Sequence, residues 1–220
     1  LLVESEQSVA NRLEAACFEP EGSLAAVLLG LPYVEVRVDG EAVTNSMLEA
    51  HRLNSVYVEK SDFFDTLTQA IGHDAKKPAD LRRLAKVLLR YDPGSLLHGT
   101  FLESIAGTLR LPRAVSGFVE ARDVRPVATG GVKNDRVTPA TEKGSDRTAK
   151  EGYGNVPFHR DAYTASEISA YFNLDLSQIR SYGFSPDANE LLVSLALWKI
   201  QVFLSDGLRL RTACDFGLAG

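Results

Sequence analysis

The 220 residues, 45% of them hydrophobic, suffice to bury one good core, or one core carrying a large insertion. A mean hydropathy of −0.08 argues against a membrane span, and the most apolar stretch, Leu191–Leu204, is broken by Ser194, Lys199 and Gln201. The net charge of −5 is uneven: residues 110–160 hold 10 Lys+Arg against 6 Asp+Glu, net +4, leaving the rest with 14 against 23, net −9. An acidic chain that gathers its positive charge in one Gly-rich, aromatic-punctuated stretch offers that stretch to a polyanion. Cys17 and Cys214 have no metal-type spacing and read as reduced thiols of a cytoplasmic protein. No signal peptide is visible. The chain opens without Met in an apolar triplet, so a first strand is expected to begin upstream.

In chain order, Leu1–Val3 reads as the end of a strand. Ser5 caps a helix over Glu6–Ala16, with Asn11 and Arg12 off its apolar face. Tyr33–Val38 alternates as a strand that ends in the turn signal Asp39-Gly40. Ser46-Met47-Leu48-Glu49 has the pattern of a capping box and predicts a helix ending in His51, Arg52 and Asn54. Val56–Val58 reads as a brief strand. Pro78 suits the first turn of a helix with Leu81, Leu84, Ala85, Leu88 and Leu89 on its apolar face. Gly94–Leu102 reads as a turn and a buried segment, with His98 a hydrogen-bonded core residue. Leu109–Val124 is the central strand candidate. Val127–Pro157 lacks a period and reads as a long functional loop. After Thr164-x-x-Glu167, strict alternation predicts a strand from Ile168, following at most one helical turn. Ser185-Pro186 opens a helix over Asp187–Leu204 that is apolar nearly all round, hence buried, and Leu208–Cys214 alternates as a last strand. There is no internal repeat. Mixed elements without a regular βαβ run indicate an α+β fold.

The chemistry-bearing residues concentrate in the basic stretch. Gly130-Gly131 and Gly152-x-Gly154 fit no phosphate-loop or dinucleotide motif and read as hinges of an arm. Lys133, Arg136 and Arg160 are candidate phosphate contacts, with Arg110 and Arg113 at the arm's base. Tyr153, Phe158 and Tyr163 are placed to stack on bases or to pack the arm, with Asn155 beside them. His159 with Asp135 and Asp161 could form an acid/base or metal group, although a polar contact explains it more simply. Asn11, Arg12, His51, Arg52 and Asn54 are second-rank contacts. No nucleophile, metalloprotease or paired-cysteine motif is present, so neither catalysis, a metal nor a cofactor is expected.

Longer segments carry a resemblance. LLVESEQSVANRLEA, SMLEAHRLNS, LRLPRAVSGFVEA, GGVKNDRV, GYGNVPFHRDAYTA, AYFNLDLSQIRSYG and GLRLRTACD closely resemble the Csb-type backbone subunit of type I CRISPR surveillance complexes, subtype I-U (later I-G). The resemblance covers nearly the whole chain. It implies a RAMP-superfamily protein with an RRM-like (ferredoxin-like) palm and finger insertions over residues 1–126, a thumb arm over 127–157, and the rest of the palm over 158–220. It further implies a non-catalytic subunit that assembles head-to-tail on the CRISPR RNA, beside other complex subunits, and holds it for pairing with target DNA. Two other readings stay open. One is a metal-dependent ribonuclease using Asp135, which an ion pair with Lys133 or Arg136 explains equally well. The other is a module that binds protein only.

Overall fold

The computed structural model describes residues 1–74, 76–134, 154–205, 208–211 and 213–219. The fold is α+β, as expected. β1 (Leu2–Glu4) leads into α1 (Glu6–Ala15), where the Ser5 hydroxyl accepts from the Ser8 amide and Val9, Ala10 and Leu13 are buried. β2 (Glu35–Val38) and β3 (Glu41–Asn45) form an antiparallel hairpin, and Asp39 and Gly40 take φ of 52° and 85°. Positive φ at both central residues matches the right-handed twist of the strands.

The predicted capping box at Ser46 does not start a helix. Asn45 Oδ1 accepts from the Met47 and Leu48 amides, and Ser46 Oγ accepts from the Val34 amide, so these side chains stabilise a turn. A single 3₁₀ turn, Arg52–Asn54, follows. The brief strand expected at Val56–Val58 is instead α2 (Val56–Glu59), because Ser55 caps it through the Val58 amide. α3 (Phe63–Ile71), which sequence reasoning missed, ends on left-handed Gly72. α4 (Leu81–Tyr91) is capped by Asp80 and buries Leu84, Ala85 and Leu88. On its polar side, Arg83 Nε donates to the Ala70 carbonyl at 2.9 Å, satisfying a C-terminal carbonyl of α3. α5 (Gly94–His98) is buried throughout.

The central strand candidate is two strands. β4 (Thr100–Phe101) pairs antiparallel with β5 (Arg110–Leu111), and β6 (Val115–Arg122) follows Pro112 with Val115, Gly117, Val119 and Ala121 on its buried face. The expected loop over 127–157 also has order at both ends. β7 (Arg125–Lys133) and β8 (Val156–Thr164) pair in register from Arg125↔Thr164 to Lys133↔Val156. β9 (Glu167–Leu174) needs no preceding helical turn, since the Ser166 amide bonds the Arg122 carbonyl. Asp175 then caps α6 (Leu176–Ser181), unforeseen because Leu176 extended the alternation. α7 (Pro186–Ser205) is the predicted long helix, but not buried all round: Leu192, Leu195, Ala196 and Phe203 face the core while Leu191 and Leu197 are exposed. The predicted last strand is a small hairpin, β10 (Arg209–Arg211) with β11 (Cys214–Asp215), because Ala213 takes φ 57°.

β1, β6 and β9 pair in the order β1-β6-β9. The chain divides into two compact units, residues 1–3 with 120–169 and residues 4–119 with 170–220. The larger unit holds the helices, with α1 against α7 and α3 against α4. No described helix is long and apolar enough to cross a membrane.

The two-sided character of α7 gives a direct test. Leu195→Ala, at a core position, is expected to cost about 2–5 kcal/mol, and Leu197→Ala, 56% exposed, less than about 0.5 kcal/mol. Equal losses in urea unfolding would restore the all-round-buried reading of this helix.

Candidate nucleic-acid interface

In the larger unit, α5 ends at His98, Gly99 takes φ 79°, and β4 begins at Thr100. A Cβ on Gly99 would lie 2.9 Å from the Leu111 carbonyl oxygen and 3.1 Å from the Arg113 nitrogen, so β5 closes directly onto this glycine. The register Phe101↔Arg110 sets the Arg110 guanidinium 4.6 Å from the Phe101 ring centroid. The 3₁₀ turn supplies His51, Arg52 and Asn54. Together with Arg113, Glu103 and the His98–Phe101 run, these residues line a cleft of about 430 Å³. Five of the sequence-predicted contacts, spread over more than sixty residues of chain, therefore meet in one place.

Their freedom differs. Arg52, 8% exposed and at φ 50°, donates from Nε and Nη2 to the two Glu14 carboxylate oxygens, both at 2.8 Å. Asn54 is a strut: its Nδ2 donates to Glu59 at 3.2 Å and its Oδ1 accepts from the Ser104 amide at 3.1 Å. His51 and Arg110 are exposed. Arg113 donates to Gln7 Oε1, and Gln7 Nε2 donates to Asn11 Oδ1 at 2.9 Å, which links exposed Asn11 to the cleft. Arg12 is used elsewhere, donating to Glu4 at 3.4 Å and to the Leu210 carbonyl. Burial alone would raise the Glu4 carboxyl, but Ser8, Arg211 and Arg12 together hold it below its ordinary value.

Beneath the cleft lies a group of buried polar side chains. Lys199, fully buried, places Nζ 3.1 Å from His98 Nε2. Burial, aided by the charges of Lys199, Arg52 and Arg113, pushes the His98 imidazole well below its usual range. Burial raises the Glu14 carboxyl against the pull of Arg52. It also raises Asp92, whose Oδ2 accepts from Ser95 at 2.8 Å. The sequence alone points to His98 as a core residue and gives no role to Gly99, Thr100 and Phe101. The available signal was a glycine between two polar residues at the end of a buried run.

The smaller unit presents a second surface. Along the β7–β8 ribbon, paired residues share a face and neighbours alternate. One face carries Lys133, Phe158, Thr129, Arg160 and Arg125; the other carries His159, Asp161, Tyr163 and Val132. The charged residues of the first face are all basic, and Phe158, 56% exposed, lies over Gly131. Asn155 immediately precedes β8, and Tyr163 points away from Phe158. Arg136, Tyr153 and Asp135 lie outside the described residues. Among those described, no group of three or more His, Cys, Asp or Glu side chains gathers to hold a metal ion.

The family model of CRISPR-associated protein GSU0053 matches residues 1–126. The chain belongs to that family. No curated protein matches it. The GSU0053 match contains the whole lining of the cleft and the first two residues of the basic ribbon strand, whereas α7 and its Lys199 lie beyond it.

The buried acid under the cleft makes a pH prediction. A carboxyl raised on folding contributes stability that is complete below its ordinary value of 3.8 and is lost as pH rises through the elevated value in the folded chain. In Asp92→Asn that loss disappears. The melting temperature of the variant minus that of wild type should therefore rise between about pH 4 and 7; a difference constant with pH would contradict the assignment.

Proposed function

We propose that this CRISPR-associated chain is a non-catalytic backbone subunit of the Csb type, RAMP superfamily, in a type I-U/I-G surveillance complex. It binds the CRISPR RNA, assembles with further copies of itself along it, and holds it for pairing with target DNA in antiviral defence. The observation that carries this reading is the cleft, where Arg110 and Arg113 meet His51 and Arg52 on a frame of short hydrogen bonds. The ribbon face of Lys133, Arg160 and Arg125 around Phe158 adds charge and a stacking ring without an acidic neighbour on that face. Both surfaces offer charge and shape, which suits a strand bound independently of sequence.

The test is the size distribution of the protein with and without its CRISPR RNA over a salt series. RNA is expected to drive a large assembly, with affinity falling steeply as salt rises. Arg110→Ala/Arg113→Ala should flatten the plot of log K against log salt by roughly 1.4, at about 0.7 per phosphate contact. Lys133→Ala/Arg160→Ala should weaken binding on unrelated RNA sequences alike. A monomer indifferent to RNA at low salt would refute the proposal. RNA cut in the presence of a divalent metal would replace it with the ribonuclease reading.

A further inference from the structure

The outer face of α4 carries charge that the fold does not use. Arg82, Lys86 and Arg90 recur at i, i+4 and i+8, so they line up along one side of the helix, and all three are exposed. The buried residues Leu84, Ala85, Val87 and Leu88 take the opposite side. Among the described residues none of the three makes an ion pair, and α4 itself contains no Asp or Glu. Outside residues 110–160 acidic residues outnumber basic ones by 23 to 14, so an unrelieved basic stripe runs against the composition around it.

The stripe also begins where cations are least welcome. Arg82 and Arg83 occupy the first turn of α4, where the free amides already hold partial positive charge and, beyond the Asp80 cap, no acidic residue offsets them. Arg83 recovers that cost, because its Nε donates to the Ala70 carbonyl and its Nη2 to the Gln69 carbonyl at 3.4 Å. Arg82 lies beside the turn after α6, where a Cβ on Gly183 would sit 3.8 Å from its Nε, and gains no hydrogen bond there. Of the four cations on α4, one is built into the fold and three are left to solvent.

From Arg82 to Arg90 the helix rises about 12 Å, which spans three to four phosphates of a duplex strand at about 3.4 Å each. What the face lacks decides the form of the ligand. Sites for single strands combine charge with rings on which bases stack, as exposed Phe101 in the cleft and Phe158 on the ribbon would allow. The one ring of α4, Tyr91, is half-buried and packed edge-on against Phe63 at 5.1 Å. A duplex keeps its bases inside and offers phosphates alone. We propose that the Arg82–Lys86–Arg90 face of α4 docks on the phosphate backbone of duplex DNA, whatever its sequence, and holds it beside the protein before its strands part. This rests on the reading above for the source of the duplex, a target DNA, and assigns a surface which that reading does not use.

The experiment is fluorescence anisotropy of a labelled duplex DNA without complementarity to the guide. It is titrated over a salt series with the protein assembled on its CRISPR RNA, and again with single-stranded DNA of the same sequence. Arg82→Gln/Lys86→Gln/Arg90→Gln is expected to flatten the plot of log K against log salt on the duplex by about 2.7, at about 0.9 per phosphate. Glutamine keeps the helix propensity, so the variant should melt with wild type and assemble on CRISPR RNA unchanged. Arg83→Gln should do the reverse, with a lower melting temperature and an unaltered slope. A triple variant equal to wild type on the duplex would overturn the docking face while RNA-driven assembly, and the backbone reading, stand. An equal loss on single-stranded DNA would overturn the duplex assignment. Loss of RNA-driven assembly, or of self-association without nucleic acid, would give the face to the guide or to a neighbouring copy and overturn the proposal. If wild type does not assemble on RNA, the backbone reading falls by itself. The same titration of the protein alone then decides the face: a flattened slope supports it and an unchanged one overturns it.

Discussion

Arg52 leaves water because Glu14 meets it with two parallel hydrogen bonds, and the cleft stands on that contact. Removing two charges from solvent costs several kcal/mol per ion unless geometry repays it, and a bidentate carboxylate–guanidinium fork is the arrangement that does so. The pair ties α1 to a turn thirty-eight residues later and holds Arg52 at a left-handed φ that a free chain would avoid. From α7, Lys199 reaches the same region through His98. Three distant parts of the chain are thereby fixed at one wall by charge pairing as much as by apolar packing.

The two basic surfaces are built in opposite ways. The ribbon is local: its strands pair with their own neighbours, and its polarity follows from alternation alone. The cleft is non-local, joining residues 50–54, 98–103 and 110–113. Both exist on a chain of net charge −5, and this is not a conflict. At physiological salt, fields between exposed charges fade over about 8 Å, so a strand in contact senses the nearby arginines rather than the total.

Much of this was legible in the sequence where one local rule acted unopposed. Ser5 capping α1, the Asp39-Gly40 turn, the apolar stripe of α4 and the start of α7 at Ser185-Pro186 are of that kind. Failures arose where two rules competed. At Ser46 an Asx turn from Asn45 displaced the capping box, and at Val56 a cap from Ser55 overrode the β-branched residues. The ribbon was hidden because Gly and Thr blur its alternation, and its order comes from cross-strand pairing that a single strand does not record. For the cleft, the arginines were legible as chemistry, but their meeting was not. Neither Glu14 opposite Arg52 nor Lys199 behind His98 has any signature in spacing.

Gly130 and Gly131 show how exposure can mislead. Both are open to solvent, yet a Cβ on Gly130 would sit 2.5 Å from the Phe158 carbonyl oxygen, and one on Gly131 would sit 3.1 Å from the Phe158 ring. The ring occupies the space that a side chain at 131 would need, and the opposite strand occupies the space at 130. In evolutionary terms Gly130 belongs with the core although it is wet: any side chain there meets fixed backbone, whereas one at 131 needs only that the exposed Phe158 ring swing aside.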